Sequence, residues 1–188
     1  MDYQPLPLEW AYRLVNFGPL VLVSTTDGRK ANVCTVAWCA PCAKKPPTVA
    51  ISIGKRHKTY KNIMKTGFFG LNIPTADQLP LAWYCGKISG NSVDKIADRG
   101  IELFYGSILK TLPLLKACSA WLECKIVPGA EAGDHGIIVA QVVSAGCRAG
   151  AVNEQYNWQS QAFPTLHHLG GRSFAVSGKV IEAATETG

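Results

Sequence analysis

The chain has 188 residues, of which 47% are hydrophobic and 17% charged, and its formal net charge is +6 at pH 7. This composition supports one ordinary hydrophobic core, so we expect residues 1–188 to form a single domain, and it excludes disordered, collagen-like and linker-rich chains. Residues 1–5 carry no basic region, and no stretch approaches the roughly 20 apolar residues of a membrane helix. The sequence therefore predicts a soluble, cytoplasmic protein.

The cysteines also favour a reducing compartment. There are seven, an odd number, and their scattered spacing is a poor disulfide framework. Cys39 and Cys42 form a CxxC pair, but no second pair supplies the other half of a zinc site, so we expect small core or loop residues rather than metal ligands. The adjacent His167 and His168 are a poor chelate, because neighbouring residues on an extended chain point to opposite sides.

The positive charge is concentrated in one part of the chain. Residues 28–76 hold nine Lys or Arg and no Asp or Glu, whereas the remainder holds ten bases and thirteen acids. A uniformly basic surface is typical of proteins that bind polyanions, but a basic cluster on a near-neutral body favours a phosphate-bearing ligand. A solvated basic face remains the alternative explanation.

The first half of the chain predicts a hairpin followed by a strand–helix–strand unit. The predicted strands are residues 19–26, 31–38, 48–53 and 68–73, and the predicted helix is residues 59–66. Asp27-Gly28 is a hairpin turn signal, and Pro46-Pro47 cannot lie inside a helix. Gly67 stands just past the end of the helix, where a left-handed residue is common.

The second half predicts two short helices and three further strands. Residues 75–78 form a capping-box sequence that opens a helix toward Cys85, and a second short helix ends near Gly100. The predicted strands are residues 121–127, 136–143 and 173–181. Seven strands with few helices favour a mainly β barrel with short peripheral helices, because parallel strands would need longer crossover helices.

The short motifs of the commonest enzyme classes are missing, since the chain has no GxGxxG, Walker loop, HExxH or GxSxG. In residues 52–59 a predicted strand instead ends in a basic turn that leads into a helix. Free backbone N–H groups and the helix dipole attract an anion at such a point, and a Thr hydroxyl can donate to phosphate oxygen. The alternative is that Thr59 only caps the helix and the bases are solvated.

Several residue patterns occur in one order along the chain. They are Asn32-x-x-Thr35-x-Ala37-Trp38, Pro46-Pro47 ahead of Ser52-Ile53, His57-x-Thr59, Phe69-x-x-Asn72-Ile73-Pro74, Ser89-Gly90 with Asp94-Lys95, Leu122-Glu123-Cys124 and Gly133-Asp134-His135. With these patterns the chain resembles the flavin reductase-like, FMN-binding split-barrel family, and within it the flavoredoxins, from about Pro19 to about Lys179. The resemblance implies an antiparallel split β-barrel with short peripheral helices, FMN as cofactor and a homodimer with FMN near the subunit interface.

The resemblance also implies which residues contact the flavin. Those expected along the isoalloxazine ring are Asn32, Thr35, Val36, Ala37 and Trp38, flanked by Ser52 and Ile53. Those expected at the phosphate are His57, Lys58 and Thr59, in agreement with the phosphate site inferred from the charges. Many relatives place Arg where this chain has His57, so Lys58 and neighbouring Arg56 are expected to supply the fixed positive charge.

Three further implied contacts have competing explanations. Asn72 is implied to reach the ribityl chain, or it makes a turn at a strand end. The residues that match the family's cofactor-side loop, which a simple helix-start loop explains nearly as well, are Ser89, Gly90 and Lys95. His135 is the candidate catalytic residue, implied to lie at the flavin face where a reductant approaches. Without the resemblance it is an ordinary polar residue at a strand start.

Two functions of different classes follow from flavin chemistry, in which the cofactor carries the electrons and the protein orients it. One is an electron carrier that accepts electrons from a redox protein and passes them to an acceptor. The other is an NAD(P)H-dependent FMN reductase. A basic barrel that binds single-stranded nucleic acid is a remote third, because residues 44–66 hold a single aromatic residue, Tyr60, among the bases.

Overall fold

The main structural element is one curled antiparallel sheet. In the computed structural model, which describes residue 14 and residues 18–181, seven strands pair in the order β2-β1-β5-β8-β9-β4-β3. Their bounds are β1 (Val21–Thr26), β2 (Ala31–Val36), β3 (Cys39–Lys44), β4 (Pro47–Gly54), β5 (Phe68–Ile73), β8 (Ala120–Ala132) and β9 (His135–Cys147). Two residues separate the edge strands β2 and β3 in the chain, so the sheet curls into an open barrel. The predicted mainly β, antiparallel barrel is confirmed. Residues 1–5, for which the sequence analysis noted the lack of a basic region, lie outside the described residues.

The predicted first hairpin is confirmed in the pairing of β1 with β2, which runs from Val21 opposite Val36 to Thr26 opposite Ala31. Asp27 shapes its turn, because the Asp27 Oδ1 atom accepts hydrogen bonds from the backbone N–H groups of Arg29 and Lys30, each at 2.8 Å. The second strand is two residues shorter than predicted, and the chain leaves the sheet at Ala37.

The expectation of core or loop residues at the CxxC pair is wrong, because Cys39–Lys44 forms β3 and pairs with β4. Five of the six β3 residues are exposed, so the strand lacks the alternation that marks a half-buried strand. A register shift between Pro41 and Ala43 accommodates a proline, as edge strands and bulges do. The Cys42 thiol is therefore exposed, and burial raises the pKa of Cys39 to about 11.

Three helices lie against the sheet: α1 (Lys58–Thr66), α2 (Leu79–Lys87) and α3 (Lys95–Asp98). The predicted end of α1 is confirmed, because Gly67 has a φ of 78° and its N–H bonds to the Ile63 carbonyl. The predicted capping box is also present, where Thr75 and Gln78 satisfy each other's backbone before α2 begins. Among the described residues, no helix has the length and apolar character needed to cross a membrane.

Two small hairpins complete the described part of the chain. They are β6 (Leu103–Tyr105) with β7 (Pro113–Leu115), and β10 (Leu166–Gly170) with β11 (Ser173–Val176). The sequence analysis did not predict β6, β7 or β10. Strands of three to five residues are too short to show a recognisable alternation of polar and apolar residues. The predicted final strand over 173–181 stops at Val176, whereas β8 and β9 extend well beyond their predicted ends.

Strand β1 divides the buried interior into two apolar clusters. All six of its residues are buried. Val21 and Val23 belong to the cluster inside the barrel, whereas Leu22 packs in a second cluster with Ala82 and Cys85 of α2. The alternation along β1 therefore fixes α2 against the outer face of the first hairpin.

Candidate functional site

A cleft runs along the part of the barrel where β2, the end of β4 and the start of α1 meet. It has two connected pockets of about 420 and 300 Å³ that share Thr35 and His57. The first, here the basic pocket, is lined by Asn32, Cys34, Thr35, Arg56, His57, Lys58, Thr59, Cys85, Gly86, Lys87, Ile88, Ser89, Gly90, Asn91 and Lys95. The second, here the ring pocket, is lined by Thr35, Val36, Ala37, Trp38, Ser52, Ile53, Gly54, His57, His135, His168, Gly170 and Gly171. Every predicted site residue except Asn72 lines one of the two.

The basic pocket carries four cationic side chains, Arg56, Lys58, Lys87 and Lys95, and no carboxylate lines it. Lys95 is 3% exposed, and its Nζ donates to the Cys85 carbonyl at 3.0 Å. Burial lowers the pKa of Lys95, because desolvation disfavours its charged form. A bound anion would compensate this buried charge.

The first turn of α1 also faces this pocket without a capping group of its own. His57 is the N-cap residue, its side chain makes no capping hydrogen bond, and the first turn has no acidic residue. The backbone N–H groups at such a helix start have no partner within the helix. Thr59 is buried, and its Oγ1 accepts a hydrogen bond from Asn32 Nδ2 at 2.9 Å. Because His57 and not Thr59 is the N-cap residue, the part of the alternative in which Thr59 caps the helix is wrong.

His57 lines both pockets and has an unpartnered polar atom in its ring. Its Nδ1 atom is buried and has no hydrogen-bond partner among the described residues. Burial lowers the pKa of His57, and the positive charge of Arg56 lowers it further, so both effects favour the neutral ring. A buried polar atom without a partner costs about 1–3 kcal/mol. His57 therefore suits a ligand hydrogen bond, while the fixed positive charge comes from its neighbours Arg56 and Lys58.

Gly90 holds the loop after α2 close against β2. A Cβ atom at Gly90 would collide with Asn32 Oδ1 and would stand 3.4 Å from the Lys58 side chain. The loop backbone can approach β2 this closely only without a side chain at Gly90. The predicted loop residues Ser89 and Gly90 thus close one wall of the basic pocket.

The lining of the ring pocket combines strand residues of β2 and β4 with the rings of Trp38 and His135. Val36 and Ile53 are 6% and 2% exposed, so their side chains face the core while their backbone borders the pocket. The rings of Trp38 and His135 lie 5.1 Å apart between centroids. His135 Nδ1 is 2.7 Å from Asp134 Oδ1.

A clasp between the β8–β9 hairpin and the basic turn brings His135 beside His57. The Lys55 backbone N–H donates to the Asp134 carbonyl at 3.0 Å, and Lys55 Nζ donates to Glu131 at 2.8 Å. In the same register, Gly54 pairs with His135. Because this contact joins residues about 80 positions apart, local sequence patterns could not predict it.

The implied ribityl contact of Asn72 is wrong. Asn72 is 0% exposed and lies outside both pockets. Its Nδ2 donates to the Leu22 carbonyl and to Ser24 Oγ, and its Oδ1 accepts from the Leu115 N–H. Because these bonds use its donors and acceptor, Asn72 joins β1, β5 and β7 in the core and does not make a strand-end turn.

The site also contains residues that the sequence analysis did not assign to it. They are Cys34, Gly54, Cys85, Gly86, Lys87, Ile88, Asn91, His168, Gly170 and Gly171. The glycine pair at the turn of the β10–β11 hairpin was a usable signal, because such a turn lets backbone approach a ligand closely. The described residues contain no group of three or more His, Cys, Asp or Glu placed to hold a metal ion.

The curled antiparallel sheet, with a cleft lined by cationic side chains at a helix start, defines a split-barrel protein. Residues 16–167 match the family model described as the flavin reductase like domain. The chain therefore belongs to the flavin reductase-like family, as the resemblance predicted.

Similar proteins support this assignment at full length. The chain is 35% identical over 184 residues to the uncharacterized protein YddH of Escherichia coli, covering 95% of this chain and 97% of YddH. Among solved structures, the FMN-binding domain of a flavin reductases-like enzyme from Shewanella baltica is 32% identical, with a TM-score of 0.79 and coverage of 95% and 96%. Flavoredoxin from Methanosarcina acetivorans is 26% identical, with a TM-score of 0.85 and coverage of 100% and 97%.

Proposed function

We propose that this chain is an FMN-binding flavoprotein that transfers electrons in the manner of a flavoredoxin. The FMN phosphate binds in the basic pocket, and the isoalloxazine ring binds in the ring pocket. The observation that carries the proposal is a pocket at the start of α1 with four cationic side chains and no carboxylate in its lining, together with an unpartnered nitrogen on His57. The names of two similar structures, a flavoredoxin and an FMN-binding domain, support the choice of ligand.

The residues present fit the charge and shape of FMN. A phosphate monoester carries up to two negative charges, which Arg56 and Lys58 at the mouth and the α1 N–H groups can pair with. The two connected pockets of about 420 and 300 Å³ give room for a phosphate-bearing tail and a planar ring. Their shared residue His57 stands between the two parts of the ligand.

Bound FMN supplies the redox chemistry, since its ring accepts and releases electrons, and the protein supplies binding and orientation. Residues of β2 and β4 line the ring pocket and would orient a bound isoalloxazine ring. The exposed Trp38 and the half-buried His135 also line this pocket and control which partner approaches. The fixed positive charges anchor the phosphate and thereby set the depth of the ring in the cleft.

Reconstitution tests this proposal directly. Purified protein mixed with excess FMN and then desalted is expected to stay yellow, to quench flavin fluorescence and to release FMN on denaturation. A colourless protein after desalting, with no quenching in titration, would overturn the proposal.

The specific observation that favours a second candidate, an NAD(P)H-dependent FMN reductase, is His135, which is paired with Asp134 and stacked near Trp38 at the ring pocket. A relative named FMN reductase (NADH) RutF, from Bradyrhizobium diazoefficiens, is 23% identical over 141 residues. We expect slow or absent turnover with NADH and NADPH, and faster reduction by a low-potential redox protein. Rapid, saturable NADH oxidation that is lost in His135→Ala while FMN stays bound would establish the reductase instead.

A homodimer, a cytoplasmic location and a redox protein as electron donor complete the proposal. Light scattering of the FMN-loaded protein tests the dimer, with twice the chain mass of 20.2 kDa as the expected result. A monomer at all concentrations used for electron-transfer assays would contradict that part. Anaerobic stopped-flow mixing with a reduced ferredoxin-like protein tests the donor.

A further inference from the structure

A third pocket, here the side pocket, opens beside α2 next to the flavin cleft. Its volume is about 700 Å³, within the range of small-molecule sites. It shares Thr35, Ala37, His168 and Gly171 with the ring pocket, and Thr35, Gly86 and Lys87 with the basic pocket. Because of these shared walls, a ligand in the side pocket would lie beside a flavin bound in the cleft.

Trp83 and the groups around it give the side pocket a distinct chemistry. Lys87 Nζ lies 5.5 Å from the centre of the Trp83 ring, and the Arg172 guanidinium carbon lies 5.9 Å from it. Phe174 meets the same indole edge-on, with 6.0 Å between ring centroids. The half-buried Trp83 ring therefore lies close to two cations and to a second aromatic ring at the wall of the pocket.

The two cations are not neutralised by carboxylates. Nearby Arg99 stacks on Tyr84 at 4.0 Å and pairs with Asp98 at 3.4 Å, so its charge is already balanced. For Lys87 and Arg172, by contrast, the described ranges of the chain contain no ion-pair partner within 4 Å. Both side chains are exposed and able to turn toward a ligand.

We propose that the side pocket binds a planar anion, an aromatic ring that carries a carboxylate or a phosphate. The ring contacts Trp83 and Phe174, and the anionic group lies between Lys87 and Arg172, where charge-assisted hydrogen bonds hold it. This inference rests on the proposed function, because it names the chemical class of the compound that lies next to the bound FMN. An aromatic acid and an adenine nucleotide share this chemistry, and the test distinguishes them.

Calorimetric titration of the FMN-loaded protein tests the inference with three probes. These are 2-naphthoate, AMP and the neutral 2-naphthylmethanol. We expect at least one anionic probe to bind at least tenfold more tightly than the neutral one, and raised salt to weaken it. Binding of naphthoate alone identifies an aromatic acid site, and binding of AMP alone identifies a nucleotide site. No binding of either anion, or equal binding of the neutral probe, overturns the inference.

The variant Arg172→Gln is expected to weaken the anionic probe at least tenfold and to leave FMN affinity unchanged, because Arg172 lines neither pocket of the flavin cleft. Lys110→Gln, an exposed cation outside all these pockets, is the matched control and should change neither. Unchanged probe binding in Arg172→Gln contradicts the inference. If the protein fails to retain FMN, the proposed function fails, while probe binding to the flavin-free protein still tests the side pocket by itself.

Discussion

In two regions of this molecule, backbone N–H groups point toward a position suited to an anion. In only one of these regions does a carboxylate of the chain itself occupy that position. In the loop after β6, the Glu123 carboxylate accepts hydrogen bonds from the N–H groups of Ser107, Ile108 and Leu109 at 2.6–3.1 Å. At the start of α1, the N–H groups and cationic side chains face no carboxylate. The first arrangement is complete within the chain, whereas no carboxylate lines the pocket of the second.

The two regions also differ in how their ionisable groups respond to burial. Burial raises the pKa of the Glu123 carboxyl, but hydrogen bonds from Leu109, Ser107 and Ile108 outweigh this and hold it below its ordinary value. Burial lowers the pKa of Lys95 and of His57, and for Lys95 the nearby Cys34 and Cys85 oppose this lowering without outweighing it. A buried charge with hydrogen-bond partners in the chain stabilises the folded state. A buried group without partners lowers the free energy of unfolding, and a ligand that pairs with it raises that free energy again.

Removing the Glu123 charge should have the largest effect on stability. Glu123→Gln replaces an acceptor of three N–H bonds by an amide whose NH₂ opposes donors, so we expect the free energy of unfolding to fall on the order of 3 kcal/mol. Urea denaturation measures it, with the exposed Glu154→Gln as control. A loss below about 1 kcal/mol would contradict the account of this loop.

The same carboxylate predicts a pH dependence. Because the native pKa of Glu123 lies below its ordinary value of 4.5, the unfolded state binds more protons in acid. Its contribution is present above pH 4.5 and is lost as the pH falls through the lowered native pKa. The stability difference between wild type and Glu123→Gln should therefore shrink as the pH falls below 4.5, and a constant difference would argue against it.

In the flavin cleft, a charge removed from the basic pocket should weaken the ligand more than the fold. Lys58→Ala is expected to weaken FMN binding by about 1.5–3 kcal/mol, at least tenfold, and riboflavin binding little. Lys61→Ala, an exposed residue of the same helix outside the pocket, is the matched control. Fluorescence titration with both ligands measures the effect, and equal losses for FMN and riboflavin would place the phosphate elsewhere.

The smallest effect on the fold is expected at the unpartnered nitrogen. His57→Ala removes a buried atom that has no partner within the described chain, so the free energy of unfolding of the flavin-free protein should change by less than about 1 kcal/mol. FMN affinity should fall about three- to tenfold, the value of one neutral hydrogen bond. A large loss of stability with unchanged FMN affinity would show that His57 belongs with Glu123, as a residue of the fold.

Local chemistry made part of this structure predictable. The Asp27 turn, the Gly67 helix end and the Thr75 capping box are each decided by a few adjacent residues, and each is present. The grouping of His57, Lys58 and Thr59 in the basic pocket was predictable for the same reason, because they follow one another at one helix start.

Long-range packing decided the rest. Strand β3 has exposed side chains and gains its conformation only from pairing with β4, so its residues carry no strand pattern. Asn72 stands at a strand end in the sequence, yet β7 covers it. His168 reaches the cleft from β10, and Lys87 reaches it from the end of α2. Neither element is adjacent to α1 in the chain, so no local motif marks their approach.

The central claim is that the open anion position at α1 holds the phosphate of FMN. Titration of the flavin-free protein with FMN and with riboflavin, at one salt concentration, tests it most directly. Several charge-assisted contacts at the phosphate predict that FMN binds at least about 100-fold more tightly than riboflavin. Equal affinity for the two flavins would contradict the claim.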